Sequence, residues 1–193
     1  MSFGQIYLLR HGETEWSKSG QHTGWTDIPL TKDGEAAAAA LAGHLPSTPA
    51  LVLASPLSRA QETARLAGLT NIVTDRDLLE WNYGEWEGKT TPEIREELHD
   101  PSWLIWDHPI PGGEQLDDVR VRVQRVIDRC LPVVQAGDDC VLAAHGHVLR
   151  ILTATWLGLP PIDGRMFALA PARLSTLGFE HEEHVITEWN SQR

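Results

Sequence analysis

Residues 6–16 read IYLLRHGETEW. Ile6 to Leu9 form an unbroken apolar run, the signature of a strand buried on both faces of a parallel sheet. Arg10, His11 and Gly12 follow with no spacer. A cation and an imidazole set hard against the end of a buried strand need a reason, and the rest of the chain supplies one.

Segments 51–55, 72–74 and 140–145 have the same buried-strand character. Residues 175–180 and 185–190 alternate better and flank HEEH, which reads as a hairpin at one edge of the sheet. Helical patterns lie between the strands. Residues 31–45 open with a capping Thr31 and carry Asp33 and Glu35 in the first turn. Residues 58–66 open with Ser58 and Gln61 at capping-box spacing. From 115 to 131, Leu116, Val119, Val123, Val126, Ile127 and Cys130 recur at threes and fours, and Pro132 is expected to end or bend the helix. Residues 146–156 place Val148, Leu152 and Trp156 on one helical face. Strands alternating with helices predict an α/β, three-layer sandwich: a mostly parallel sheet with helices on both faces. Such sheets bind ligands beyond the carboxyl ends of their strands.

The same ending then occurs three times. One strand runs into Arg10 and His11, a second into SPLSRAQETA with Arg59, and a later one into AAHGH with His145. Neighbouring strands lie about 4.8 Å apart, so adjacent strands would gather these side chains into one pocket. Two guanidiniums and two helix N-termini suit a phosphoryl group. A neutral imidazole can attack phosphorus, and His11 is the candidate. His145 is expected to be a cationic partner for the equatorial oxygens. The leaving oxygen needs an acid. LLEWNYGEWEG offers Glu80, Glu85 and Glu87; Glu80 comes soonest after its strand, but spacing alone does not choose among them.

The bulk numbers frame this reading. The chain has 193 residues, 41% of them hydrophobic, which suits one domain spanning 1–193. The net charge of −11 argues against nucleic acid or an anionic membrane as partner. No apolar stretch approaches the roughly 18 residues of a membrane span. The N-terminus lacks the basic start and apolar run of a secretory signal. Cys130 and Cys140 sit in apolar-periodic segments and read as reduced core thiols of a cytoplasmic enzyme. HGH at 145–147 and HEEH at 181–184 lack the further ligands of a metal site at standard spacing, so no metal is expected. PIPGGEQL reads as a loop before a helix, since no lysine follows at P-loop spacing. Of the eight tryptophans, Trp103 and Trp106 are expected on a mobile rim over the pocket, and Trp156 and Trp189 in ordinary packing.

Together, LLRHGETEW, SPLSRAQETA, LLEWNYGEWEG and AAHGHVLR resemble, in order, the four signatures of the histidine phosphatase superfamily, also called phosphoglycerate mutase-like. The resemblance implies that His11 is the phosphorylated histidine and that Arg10, Arg59 and His145 complete the phosphate pocket. It implies Glu80 as the acid, because the family's acid lies four residues before the glycine that is Gly84 here. It further implies substrate contacts from Thr23 and Gly24, with Ser17, Tyr83 and Arg150 as additional candidates, and no cofactor. Mutases of this family carry a longer insertion with an arginine pair. Residues 89–114 hold only Lys89 and Arg95 as basic side chains, so the phosphatase branch is favoured. The chain is similar to small acid phosphatases and to sugar-bisphosphate phosphatases of the sedoheptulose type, with His22 where the latter tend to have a tyrosine. The partner implied is a small phosphorylated metabolite, with a homodimer as the candidate assembly. The alternatives are a cofactor-dependent phosphoglycerate mutase and a non-catalytic phospholigand-binding module.

Overall fold

The structure, a computed structural model, describes residues 2–191. The apolar run at the N-terminus is β1 (Ile6–Arg10), and it lies inside a six-stranded sheet. The other strands are β2 (Leu51–Ala54), β3 (Val73–Thr74), β4 (Cys140–Ala144), β5 (Leu174–Glu180) and β6 (Glu183–Ser191). Their order is β3-β2-β4-β1-β5-β6. The first four are mutually parallel, and β5 and β6 add an antiparallel hairpin at one edge, as expected from the alternating segments.

Strand alternation divides the core in two. Ile6, Leu8, Leu53, Cys140 and Leu142 face one side, packed against α5 (Leu116–Gln135) and α6 (Gly146–Trp156) through Val119, Val123, Val126 and Leu152. Leu9, Val52, Ala54, Val141 and Ala143 face the other side. There they meet Ala64 of α3 (Ser58–Leu66) and Leu41, just beyond α2 (Lys32–Ala39). Helices therefore cover both faces, the three-layer arrangement that alternating strands and helices require.

Register decides where the chemistry goes. Arg10 pairs with Ala144 across β1 and β4, and Ala54 with Ala143 across β2 and β4. The next residues along are His11, His145 and Ser55, so three strand ends sit side by side with β4 in the middle.

Several boundaries differ from expectation. The helix expected over 31–45 ends at Ala39, because Leu41, Ala42 and His44 bond three residues back in turns and Gly43 takes a positive φ of 87°. α5 continues through Pro132 to Gln135. The proline removes one helical bond, to the carbonyl of exposed Asp128, which water can satisfy. The strand expected over 140–145 stops at Ala144, and His145 becomes the N-cap of α6. Two short helices were not anticipated: α1 (Glu15–Ser19) and α4 (Thr91–Leu98), both opened by capping boxes, Thr14 with Ser17 and Thr90 with Glu93. Trp103 and Trp106 do not form a mobile rim. Both are buried, Trp103 edge-on to Trp86 and Trp106 edge-on to Trp81, so the segment after α4 is anchored in the core. Trp156 is buried and stacks on His184, with centroids 3.8 Å apart. Cys130 and Cys140 are free buried thiols.

Candidate active site

A cavity of about 210 Å³ opens at the carboxyl ends of the parallel strands. Arg10, His11, Glu80, Tyr83, His147 and Arg150 line it, together with Ser17, residues 20–23 and Gly146.

His11 is buried, and its Nδ1 lies 2.7 Å from the carbonyl of Gly12. Nδ1 therefore carries the proton and donates, leaving the Nε2 lone pair free. Burial, then the charges of Arg59 and Arg10, push the imidazole well below its ordinary value of 6.5, so it is neutral at neutral pH. Gly12 is required by close approach: a Cβ there would lie 2.4 Å from the Gly34 carbonyl oxygen in the first turn of α2. The Gly12 N–H donates to Thr63 Oγ1 on α3 at 3.0 Å.

His145 stands edge-on to His11, ring centroids 5.1 Å apart. Its Nδ1 accepts from Arg59 Nε at 3.1 Å, so Nε2 bears the proton and donates to Ser55 Oγ at 2.7 Å. Burial and the neighbouring arginines hold it well below 6.5. The expected cationic His145 is therefore corrected for the free site: it is neutral, and the positive charge resides on the arginines.

Arg59 is fully buried behind His145 and does not line the open cavity. Its Nη1 donates to the Thr26 carbonyl at 2.8 Å, and Nη2 to the carbonyls of Gly24 at 2.8 Å and Thr23 at 3.3 Å. It both charges the pocket and ties down its wall. Arg10 does line the cavity. One Nη1 hydrogen bonds the Leu169 carbonyl, while its buried Nε has no partner among the described residues. A buried guanidinium donor without a partner calls for an anionic ligand. Gly146 leaves room for this side chain, since a Cβ would sit 3.3 Å from Arg10 Cζ.

Glu80 is buried, and its carboxylate meets the N-terminus of α6. Oε2 accepts from the His147 N–H at 3.0 Å, and Oε1 from Val148 at 2.8 Å and its own neighbour Trp81 at 2.9 Å. Of the three glutamates, Glu80 alone lines the cavity. Glu87 instead accepts from the N–H groups of Gly24 and Thr26, at 2.8 and 3.1 Å.

The remaining expected contacts divide. Thr23 and Arg150 line the cavity; Arg150 spends Nε and Nη2 on the carbonyls of Gly164 and Arg165 and lies over the Trp106 ring. Ser17 lines it too, but its hydroxyl is committed to the Thr14 capping box. Gly24 stands behind the wall with N–H and C=O already bonded. The Tyr83 hydroxyl and His147 Nδ1 are hydrogen-bonded at 2.5 Å, and burial raises the phenol well above its ordinary value. His22 and His147 were not expected at the cavity. Both are held below the usual imidazole range by burial, His22 at about 4. His147 was visible in AAHGHVLR, where the HGH spacing was weighed only as a metal motif and set aside for want of further ligands. In the fold its imidazole bonds Tyr83 while that of His145 bonds Arg59 and Ser55. Ser55 and Thr63 carried no sequence signal.

The family model of the histidine phosphatase superfamily (branch 1) matches residues 6–192. An acid phosphatase of Mycobacterium tuberculosis is 41% identical over 181 residues, covering 92% of this chain and 87% of that protein. Sedoheptulose 1,7-bisphosphatase of Saccharomyces cerevisiae is 34% identical, covering 79% of this chain and 67% of its own length. A 2,3-bisphosphoglycerate-dependent phosphoglycerate mutase of Bifidobacterium longum is 33% identical over 77% of this chain and 75% of that one. The solved structure of an open reading frame product from M. tuberculosis superimposes with a TM-score of 0.90 at 38% identity, covering 98% of both chains. With its motifs gathered at one sheet end and a family match over nearly its whole length, the chain belongs to the histidine phosphatase superfamily, branch 1.

Proposed function

We propose that this protein is a phosphomonoesterase acting on small phosphorylated metabolites through a phosphohistidine. His11 Nε2 attacks phosphorus in line with the ester oxygen, the P–O bond breaks, and Glu80 delivers a proton to the departing oxygen. Water then attacks the phosphohistidine, giving its proton to Glu80 and returning His11 to the neutral state. Arg10 and the field of Arg59 offset the charge on the transferring group. The observation that carries this reading is the neutral His11, its Nδ1 tied to Gly12, in one small cavity with Arg10 and Glu80.

The phosphatase relatives support hydrolysis, and so does the 89–114 segment. Neither of its basic side chains lines the cavity: Lys89 pairs with Glu97, and Arg95 donates to the Trp103 carbonyl. The cavity volume suits a phosphate on a compact sugar or organic acid. On this reading residues 1–193 act as one catalytic domain on a cytoplasmic metabolite.

Incubation with 3-phosphoglycerate and a trace of 2,3-bisphosphoglycerate tests it, alongside a screen of phosphorylated metabolites read by released phosphate. Hydrolysis without 2-phosphoglycerate is expected, and it is abolished in a folded His11→Ala variant. Formation of 2-phosphoglycerate identifies a mutase, and absence of turnover on every ester a binding module.

A further inference from the structure

The stretch PIPGGEQL has no part in the chemistry above, yet it packs directly beneath the acid. Gly84 and Gly113 bring the two loops together backbone to backbone: a Cβ at Gly84 would lie 2.1 Å from the Pro111 carbonyl oxygen, and one at Gly113 2.3 Å from that of Asn82. The contact seats Glu114 against Asn82. The Glu114 N–H donates to the Asn82 carbonyl at 3.0 Å, and the Asn82 N–H to Glu114 Oε2 at 2.9 Å. Trp81 Nε1 donates to the Glu114 carbonyl at 2.8 Å.

Arg122 of α5, itself buried, completes the brace. Nε and Nη2 grip the two Glu114 oxygens at 2.8 and 3.0 Å. Nη1 donates to the carbonyls of Asp77 at 2.8 Å and Leu79 at 2.5 Å, and Nη2 to that of Glu80 at 3.0 Å. Every guanidinium hydrogen is used, three of them on carbonyls within four consecutive residues. Only the planar, five-donor fork of arginine can do this; lysine has three donors on a single atom.

We propose that Arg122, paired with Glu114, is a positioning residue that fixes the backbone of residues 77–82 so that the Glu80 carboxyl reaches the leaving oxygen. The inference rests on Glu80 being the acid. A single 3-10 turn (Arg76–Leu78) covers the start of this stretch, and residues 79–82 that follow it lie in no helix or strand. A shift of about 1 Å at a catalytic group can lower the rate on the order of a hundredfold.

The test compares kcat/KM, which reports phosphorylation of His11, on glycerol phosphate and on p-nitrophenyl phosphate. The aryl leaving group needs little protonation. Arg122→Lys is expected to lower kcat/KM on glycerol phosphate by about 100-fold and on p-nitrophenyl phosphate by less than about threefold. In the Glu80→Gln background it should add no further selective loss, because both changes remove the same proton transfer. Should Arg122→Lys fail to fold, Glu114→Gln, which keeps an acceptor for one arm of the fork, is expected to show the same selectivity in weaker form. Equal loss on both substrates, with Glu80→Gln still selective, overturns the positioning role and leaves Glu80 as the acid. Equal loss from Glu80→Gln itself removes Glu80 as the acid and the inference with it.

Discussion

Thr63 links two parts of the site with one buried hydroxyl. It accepts from the Gly12 N–H at 3.0 Å and donates to the Arg59 carbonyl at 2.7 Å. Thr63→Val keeps the shape and removes both bonds, stranding a buried N–H next to His11. The expected loss is about 1–3 kcal/mol of stability, measured by urea unfolding, with a lower kcat/KM because the His11 turn loosens. Thr63→Ser should restore most of both; an unchanged unfolding midpoint in Thr63→Val would show that the hydroxyl is not needed. Legibility at this scale follows from chemistry. Arg10, His11 and His145 announce themselves because charge and imidazole at the end of an apolar strand have few structural uses. Thr63 and Ser55 do not, because a hydroxyl in a helix or turn is common and its partner, the Gly12 N–H or the His145 ring here, is set by tertiary packing. The neutrality of His145 was likewise unreadable, since it depends on burial and on an arginine 86 residues away.

Among the elements, α3 shows why cores are read more easily than ends. Residues 58–66 were legible as a helix, but the group that caps it was not. Ser58 and Gln61 do not form the expected box; Leu57 is the N-cap and provides no side-chain bond. The Ser58 N–H and hydroxyl both donate to Asp27 Oδ1, at 2.9 and 2.8 Å, from a loop 31 residues away, while Gln61 donates to the Ser55 carbonyl. A carboxylate is a stronger partner for a helix N-terminus than a neutral amide, and no local window contains it. The same loop presents the carbonyls of Thr23, Gly24 and Thr26 to Arg59. Asp27→Ala is therefore expected to destabilise the protein by about 1 kcal/mol and to lower activity by releasing the Arg59 clamp. Asp27→Asn, which retains an acceptor, should lose only a fraction of each. Equal behaviour of the two variants in thermal unfolding and kcat/KM would show that charge, and not the acceptor, matters.

Over the whole molecule, a chain of net charge −11 concentrates its functional cations at one sheet end and surrounds them with uncharged imidazoles. His11, His22, His145 and His147 are all held below the ordinary 6.5, chiefly by burial, with neighbouring cations adding to the effect at His11, His145 and His147. In the unfolded chain each would take up a proton near 6.5. Between that value and the lower folded one, the unfolded state binds more protons, so stability rises with pH across the window. The contribution is complete above about 6.5 and is lost as pH falls; for His22 the window closes at about 4. The carboxylates with lowered values, Asp77, Glu93 and Asp100, start from 3.8 to 4.5, so their loss begins at lower pH. Thermal midpoints should therefore stay level just above 6.5 and decline from there towards 4, before those carboxylates titrate. His22→Gln should flatten part of that decline without removing it, because three buried imidazoles remain. Phosphate should raise the midpoint by binding only the folded state. A midpoint that holds constant from neutral pH down to 5 would mean that these imidazoles are not kept neutral by the fold, and the case for His11 as a ready nucleophile would lose its electrostatic basis.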